Sequence, residues 1–374
     1  MPSSTSGALI TKVAPKTSAK QSGISTVQFT TCQFDLDNAL RTIAPAIGVR
    51  SSHPILDCCL ITAADGVMSV TGFNLDLGIT VTAPAVVETA GTVALPYRLL
   101  AGLVSRMEAD EAVTLHDGGL TASSGSYGLA AMDAADYPAM PDVEAPGAQL
   151  ALSAGVRACM TAASTDASKA LLQGIHLANG HMEATDGHRL MRYAVDLPAG
   201  IDLVLPASTM RLLQDHTVTI AHAGGQAVIT TDDGITIYSR ILDGTYPDVA
   251  KLIPATFEHA ITLDRNRFAR CLERVALIAE AHNSVVKLLI GDKGTIVISA
   301  EADANSGTEA MKYDGKAGKL ALAFNVHYLL DGLKSMRAYE SVTLSANAAT
   351  SPVVLTPAGV DGVTYLVMPV QVRG

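Results

Sequence analysis

Apolar and polar positions repeat three times along the chain in the same order. Three segments each run from an alternating stretch, typical of a strand, through a polar residue into a run with helical spacing: VQFTTCQFDLDNALRTIAPAI, AQLALSAGVRACMTAAS and EHAITLDRNRFARCLERVALIA. The expected helix caps are Asp37, Ser153 and Asp264, which lie 116 and 111 residues apart. Their side-chain oxygens can accept hydrogen bonds from the free N–H groups of a first helical turn. The pattern therefore predicts one strand–helix unit that is used three times.

Two further markers recur at a similar spacing. A second helix is expected in each unit at LPYRLLAGLVSRM, LPASTMRLLQDH and FNVHYLLDGLKSM, which begin 110 and 119 residues apart. Pro96 and Pro206 suit a first helical turn, where a missing N–H costs nothing, and Asn325 is the expected cap of the third of these helices. The expected strand ends lie 114 residues apart, at Thr71, Thr185 and Ser299.

Short β-branched runs between these markers, such as GTIVISA and SPVVL, predict several strands in each unit. We therefore predict an α+β fold of three repeated two-helix, multi-strand domains, over residues 27–147, 148–256 and 257–374. Residues 1–26 hold ten Ser or Thr, three Lys and no acid, which predicts a flexible N-terminal tail. A transit peptide is the other interpretation, but the segment has no Arg and no amphipathic pattern.

The basic residues concentrate on the predicted helices. In the helix after Asp264, apolar and basic positions fall on different sides at about 100° per residue. The apolar side holds Phe268, Leu272, Val275 and Ala279, and the basic side holds Arg267, Arg270 and Arg274. Taken singly, such cations usually mark a solvated helix face. The whole chain, however, has a net charge of −10, so six helices that shared one surface would make that surface basic while the sheets carried the acid.

Composition narrows the class of protein further. Hydrophobic residues make up 48% of the chain and charged residues 17%, yet no apolar run approaches the roughly 18 residues that a membrane-spanning helix needs. The five cysteines have no CxxC spacing, which favours buried thiols in a reducing cytoplasm over a disulfide framework or a zinc site. They are Cys32, Cys58, Cys59, Cys159 and Cys271. We expect a cytoplasmic protein without a metal or other cofactor.

The segment ATDGHRL (184–190) carries the most suggestive chemistry, because Asp186 and His188 flank Gly187 as a possible acid and base. A hydrolase would use such a pair. No Ser or Cys nucleophile with a consistent partner and no second metal-ligand cluster accompanies His188. A glycine-containing turn at a strand end is therefore favoured, and the hydrolase is kept as an alternative.

Six motifs resemble the bacterial DNA polymerase III beta subunit family, the sliding clamps. They are RSSHPIL (50–56), ATDGHRL (184–190), LDGTYPD (242–248), FNVHYLLDGL (324–333), SPVVL (351–355) and YLVMPVQV (365–372). The resemblance covers nearly the whole chain from about residue 27. It implies two chains closed head to tail into a six-domain ring, with helices lining the hole and sheets outside. It also implies a non-catalytic processivity factor that encircles duplex DNA without sequence preference. Its other partners would be the replicative polymerase and the clamp loader, bound through short peptide motifs.

The resemblance assigns two sets of contact residues. A peptide-binding groove between the second and third domains, the candidate groove, would be formed by Leu172, Thr185, Gly187, His188, Arg189, Leu190, Pro247, Lys251, Leu252, Asn325, Tyr328, Leu366, Val367, Met368, Pro369 and Val370. Arg50 matches a family DNA contact, and the helix cations together with Lys169 would complete the DNA-facing set: Arg41, Arg98, Arg106, Arg157, Arg211, Arg267, Arg270, Arg274, Lys334 and Arg337.

The dimer interface would use Leu277 and Ile278 against a first-domain strand around Val113–Leu115. Departures from the family pattern put DNA contact by the second domain in doubt: TDASKALLQG keeps only Lys169 as a cation, and ASTM replaces a basic residue after LP. Lys251 and Leu252 are also mild variants, which leaves open a clamp paralogue with altered partners.

Overall fold

The computed structural model describes residues 26–48, 53–116, 118–281, 283–291 and 293–371. Residues 1–25 of the predicted tail and Arg50 lie outside these ranges. In the first third of the chain the elements are β1 (Gln28–Cys32), α1 (Gln33–Ile43), β2 (Cys58–Ala64), β3 (Val67–Phe73), β4 (Leu77–Pro84), β5 (Val86–Thr89), β6 (Gly91–Pro96), α2 (Tyr97–Val104), β7 (Ala112–His116), β8 (Gly119–Ala122) and β9 (Gly125–Gly128).

The second and third parts repeat this order with small changes. The second has β10 (Ala148–Ala151), α3 (Ser153–Cys159), β11 (Gly174–Ala178), β12 (His181–Thr185), β13 (Arg189–Ala194), β14 (Asp202–Pro206), α4 (Ala207–Leu212), β15 (Thr217–Ala223), β16 (Gln226–Thr231) and β17 (Thr236–Arg240). The third has β18 (His259–Asp264), α5 (Arg265–Ala279), β19 (Val285–Ile290), β20 (Thr295–Ala302), β21 (Asn305–Lys312), β22 (Asp314–Lys316), β23 (Leu320–Asn325), α6 (Val326–Ser335), β24 (Ser341–Ala346), β25 (Val353–Pro357) and β26 (Val363–Val367). Each part therefore runs strand, helix, strands, helix, strands.

Two of the four sheets cross from one part of the chain to the next. The eight-stranded sheet, β10-β15-β16-β17-β4-β3-β2-β6, joins the first and second parts where β17 pairs with β4. The nine-stranded sheet, β14-β11-β12-β13-β26-β25-β24-β18-β22, joins the second and third parts where β13 pairs with β26. Sheets of five strands (β5-β1-β7-β8-β9) and four strands (β21-β20-β19-β23) lie at the two ends of the chain.

The helices pack their apolar sides on these sheets and touch one another. In α5, Phe268, Leu272 and Val275 are buried, as the periodicity predicts, while the three arginines on the other side are exposed. Helix α3 contacts both α4 and α6, and α6 contacts α5, so the helices of the second and third parts form one continuous layer. No helix of the described residues is long and apolar enough to cross a membrane.

The predicted helix caps are right at two positions and wrong at two. Asp264 caps α5 by accepting from the N–H of Arg267 at 2.6 Å, and Asn325 caps α6 by accepting from the N–H of His327 at 2.9 Å. Asp37 instead lies inside α1, where it pairs with Arg41 at 2.7 Å. Ser153 is the first residue of α3 rather than its cap.

The reason for the error at α1 is that β1 runs directly into the helix. The first N–H groups, of Gln33 and Phe34, donate to the carbonyls of Glu111 and Ala109, so a neighbouring loop replaces a side-chain cap. Pro96 and Pro206 occupy the residue just before α2 and α4, one position earlier than predicted. Among the expected strand ends, Thr185 ends β12, whereas Thr71 and Ser299 lie within β3 and β20.

Four of the five cysteines are buried, as predicted, and Cys32 is half-exposed. Burial raises the pKa of Cys59 to about 12, so this thiol stays protonated and packs as a small apolar side chain.

Candidate functional site

The ATDGHRL segment forms a tight turn between β12 and β13 that its own side chains hold in place. Asp186 Oδ1 accepts from the backbone N–H groups of His188 and Arg189, at 2.8 and 3.0 Å. Thr185 Oγ1 accepts from the N–H of Gly187 at 3.1 Å and donates to the carbonyl of Arg189 at 2.6 Å. Gly187 has φ +93°, a left-handed conformation that strongly favours glycine. The acid therefore holds the turn, and this interpretation replaces the catalytic one.

The side chain of Arg189 links this turn to the third part of the chain. Its Nε pairs with Asp186 Oδ2 at 3.0 Å, and its Nη1 pairs with Asp331 of α6. Its guanidinium also lies 4.6 Å from the centre of the Tyr328 ring, within cation–π range. The ring of His188 is stacked beside Tyr328, with the ring centres 6.1 Å apart. One cation thus joins the turn to the first turns of α6.

Backbone pairing brings the end of the chain to the same place. Leu190 lies opposite Leu366 and Arg189 opposite Val367 in the β13–β26 pair. Beyond β26, the N–H of Met368 donates to the carbonyl of His188 at 2.9 Å. The N–H of Val370 donates to the carbonyl of Ala323 at 2.8 Å. Residues 366–370 are therefore fixed between the turn and the third part.

A separate apolar cluster lies under this surface. It buries Leu190, Val204, Tyr246, Val249, Val354 and Leu366, with Leu171, Leu172, Leu242, Ile253 and Phe257 half-buried against it. At its border three apolar side chains remain open to solvent: Leu252 is 54% exposed, and Met368 and Val370 are each 39% exposed. Exposed apolar side chains over a buried apolar floor, beside polar His188 and Asn325, are typical of a peptide-binding surface.

The structure brings together most of the candidate groove but gives its members different surroundings. Thr185, Leu190 and Leu366 are buried, whereas Gly187, His188 and Pro247 are exposed. Lys251 is exposed and pairs with Asp248 at 2.9 Å. Val367 is wholly buried in the main core, apart from the cluster that holds Leu366, so its side chain is not at the groove and only its backbone supports it.

Sequence reasoning missed several residues that build this site. Tyr246, Val204 and Val354 belong to the buried floor, and Asp331 holds Arg189. Tyr246 and Asp331 stand inside two of the motifs, LDGTYPD and FNVHYLLDGL, so the motifs contained the signal. Val354 likewise lies inside a motif, SPVVL, whereas Val204 lies in none of them and no local pattern links it to the groove.

The predicted DNA-facing cations are mostly on helices and mostly exposed. Arg98, Arg106, Arg211, Arg267, Arg270, Lys334 and Arg337 are exposed. Three others are exposed but hold carboxylates: Arg41 pairs with Asp37, Arg157 with Asp215 and Arg274 with Glu309. Lys169 differs, because it is half-buried and its Nζ donates to the carbonyl of Asp186 at 2.9 Å. Its ammonium group therefore supports the turn, and its place in the DNA-facing set stays a prediction.

Four of these cations line one cleft between the second and third parts of the chain. This basic cleft, of about 1050 Å³, holds Arg157, Arg211, Lys334 and Arg337, with Tyr193 and Tyr339 among its other lining residues. It lies between α3, α4 and α6. Arg189 and Asp331 also line the basic cleft. The ion pair that supports the turn therefore lies at both the candidate groove and the basic cleft.

The predicted interface residues differ in exposure. Leu277, near the end of α5, is 76% exposed, while Ile278 is half-buried against Gly307 of β21. The proposed counterpart around Val113–Leu115 is wrong, because Val113 and Leu115 are wholly buried in β7, inside the five-stranded sheet. The edge strand β9, which carries half-buried Tyr127, is open instead.

One group in the described ranges has the composition of a metal site. His216 Nδ1 lies 3.1 Å from Asp232 Oδ1 and 3.6 Å from Asp233 Oδ1. The group lies beside β15 and β16, on a different sheet from His188, and its carboxylates are about half-exposed. Its distances are those of ordinary ion pairs.

Comparison with known proteins agrees with this geometry. Residues 27–141 match the family description "DNA polymerase III beta subunit, N-terminal domain", and residues 250–371 match the C-terminal domain of the same subunit. The chain is 35% identical to the beta sliding clamp of Synechococcus elongatus, over 91% of this chain and 98% of that protein.

Two solved structures share its fold. The sliding clamp of Bacillus subtilis aligns with a TM-score of 0.87 at 24% identity, over 93% of this chain and all of that one. A clamp from Pseudomonas aeruginosa bound to griselimycin aligns with a TM-score of 0.85 at 23% identity, again over 93% of this chain and all of that one.

Proposed function

The chain belongs to the DNA polymerase III beta subunit family, and from that premise we propose which of its surfaces perform the work of a sliding clamp. A sliding clamp is a non-catalytic processivity factor of DNA replication. Three surfaces serve it in this chain: the candidate groove takes partner peptides, the exposed helix cations face duplex DNA, and the two end sheets join two copies into a ring.

The observation that best supports the assignment of the groove is the pairing of β13 with β26. It places the 185–190 turn, the start of α6 and residues 366–370 on one surface, with exposed Leu252, Met368 and Val370 above a buried apolar floor. A short partner segment would bury its apolar side chains there and meet His188 and Arg189 with its carbonyls or acids. We include griselimycin among the ligands of this groove, by analogy with the Pseudomonas aeruginosa clamp.

The groove is tested by truncating its exposed apolar side chains. Leu252→Ala and Met368→Ala should each weaken griselimycin binding roughly tenfold, because the ligand loses apolar contact area, as isothermal titration calorimetry would measure. Leu289→Ala is the matched control, since Leu289 is 52% exposed on β19 of another sheet. Unchanged affinity in both groove variants would contradict this assignment.

The helix layer carries the positive charge that would face duplex DNA. Exposed cations on or just after helices α2 to α6, four of which line the basic cleft, attract phosphates in a chain of net charge −10. Contacts to DNA phosphates carry no sequence information. They would therefore keep the DNA in the channel while the protein moves along the duplex. Retention then comes from the closed ring.

Ring closure would use one edge strand from each of the two end sheets. Strand β9 is an edge of the first sheet and β21 is an edge of the last, with Leu277 and Ile278 of α5 beside it. Head-to-tail pairing of β9 with β21 of a second copy would satisfy both edges and cover Leu277. We place the protein in the cytoplasm, where a bacterial chromosome is replicated.

A further inference from the structure

His176 of β11 is held between two carboxylates next to the buried floor of the candidate groove. Its Nδ1 lies 3.3 Å from Glu183 Oε2, and its Nε2 lies 3.0 Å from Asp202 Oδ1. The imidazole is only 13% exposed, and Glu183 is buried. A carboxylate can only accept a hydrogen bond at neutral pH, so both ring nitrogens must carry a proton for both contacts to be hydrogen bonds. The geometry is that of an imidazolium fixed at both ends.

The ring of Tyr246 is stacked on this imidazole. The two ring centres are 4.6 Å apart and the planes are inclined by 26°. Tyr246 is buried in the apolar cluster under the groove, together with Leu190 and Leu366. His176 therefore contacts the floor of the groove through the ring of Tyr246.

Tyr246 lies in the connector that supplies one wall of the groove. It directly precedes Pro247, and the short 3-10 helix Val249–Leu252 follows. The start of the connector is fixed where the N–H of Leu242 donates to the carbonyl of Val204 at 2.9 Å. Between that bond and buried Val249, the side chain that reaches into the cluster is Tyr246. The position of Pro247 and Leu252 thus depends on where the Tyr246 ring rests.

We propose that His176 is a positioning residue for the groove: its doubly hydrogen-bonded ring fixes Tyr246, and Tyr246 fixes the wall that carries Pro247 and Leu252. This inference rests on the peptide groove proposed above. It gives His176 a part in partner binding although it does not touch the partner.

The same arrangement makes partner binding depend on pH. The charged groups that face His176 are Glu183 of β12 and Asp202, the first residue of β14. Arg192 of β13 binds Glu183 at 2.7 Å and also lies 3.2 Å from Nδ1 of His181. Burial lowers the pKa of His176, but its hydrogen bonds to Glu183 and Asp202 outweigh burial, so the net effect is a raised pKa.

The sign of the pH effect follows from that direction. A raised pKa means that the imidazolium stabilises the folded arrangement fully at low pH, and that this contribution is lost as pH rises through the raised pKa. Above it, one nitrogen loses its proton and presents a lone pair to a carboxylate. The stacked pair then loosens, and partner affinity falls as pH rises.

The test compares four variants of the full-length clamp by griselimycin titration between pH 6 and pH 9. His176→Ala removes the ring and should weaken binding roughly three- to tenfold at pH 6, the range expected for loss of one aromatic stacking contact. His176→Phe keeps a ring without a titrating group, so it should bind near the wild-type level at pH 6 with a flat pH profile. His222→Ala, on β15 of another sheet, is the matched histidine control. Leu252→Ala reports whether the groove itself is the binding site.

The outcomes separate this inference from the groove on which it rests. Wild-type pH dependence that disappears in both His176 variants, with DNA retention unchanged, supports the positioning role. Wild-type affinity and an unaltered pH profile in His176→Ala, with weak binding in Leu252→Ala, overturns the role of His176 but keeps the groove. Wild-type affinity in both His176→Ala and Leu252→Ala overturns the assignment of the groove as the binding site. Equal loss of griselimycin binding and DNA retention in His176→Ala would show a general structural defect and also overturn the inference.

Discussion

Asp186 is occupied within its own turn: one carboxylate oxygen accepts from the N–H groups of His188 and Arg189, and the other pairs with the Arg189 side chain. A general acid or base must be free to exchange a proton with a substrate. Here the same oxygens set the path of the backbone. The residue that looks catalytic in the sequence therefore shapes a binding surface, which agrees with the non-catalytic role of the family.

Replacing Asp186 should separate its two contributions. Asp186→Asn keeps an oxygen that can accept from the turn but loses the ion pair with Arg189, whereas Asp186→Ala loses both. We expect Asp186→Ala to lower the free energy of unfolding by about 1–3 kcal/mol, the cost of leaving polar groups without partners, and Asp186→Asn to lower it less. Urea unfolding measures this, with Asp196→Ala in the exposed loop after β13 as control. Equal effects of all three variants would contradict the structural role.

At the scale of elements, local signals were reliable only where the contacts themselves are local. Asp264 and Asn325 cap their helices because the accepting side chain and the donating N–H are two or three residues apart. At α1 the carbonyls of Glu111 and Ala109 do the same work from more than 70 residues away, and sequence spacing cannot show that.

The candidate groove shows the same limit of sequence reasoning. The family resemblance supplied Leu190 and Leu366, which the β13–β26 pair places opposite each other. It did not supply the His176–Tyr246 stack, because His176 and its partners Glu183, Asp202 and Tyr246 come together only when three strands and the connector are assembled. It also did not show that Lys169 supports the turn, because its bond to the carbonyl of Asp186 forms only in the folded chain.

If the cations of the helix layer contact phosphates, the affinity for DNA should depend on salt concentration through them. Lys334→Ala with Arg337→Ala removes two cations at the basic cleft, so the slope of log affinity for a short duplex against log salt should become shallower by about 2. The matched control is Lys287→Ala with Lys312→Ala, which removes two exposed cations from the four-stranded end sheet. Fluorescence anisotropy at several salt concentrations gives the slopes. A larger change in the control than in the cleft variant would place DNA on the sheet side instead.

At the scale of the whole molecule, the net charge of −10 and the basic helix face have one common explanation. A protein that surrounds DNA does not need a strongly adhesive surface, since a closed ring cannot leave except over an end. In the proposed ring, modest phosphate attraction by the helices inside and a net negative charge elsewhere would favour threading over binding to the outer sheets. In the ring proposed above, the open edges β9 and β21 would supply the closure, and exposed Leu277 is the side chain that it would cover.

The most direct test of this account is retention on circular DNA after loading, measured for wild type and Leu277→Asp by gel filtration in high salt. The wild-type protein should remain on closed circles and be lost when the circles are cut at one site, because only topology holds it. Leu277→Asp, with a charge at the joint, should fail to dimerise and should not be retained on either form. Wild-type protein that stays on cut DNA as firmly as on closed circles, or a Leu277→Asp variant retained like wild type, would contradict the ring.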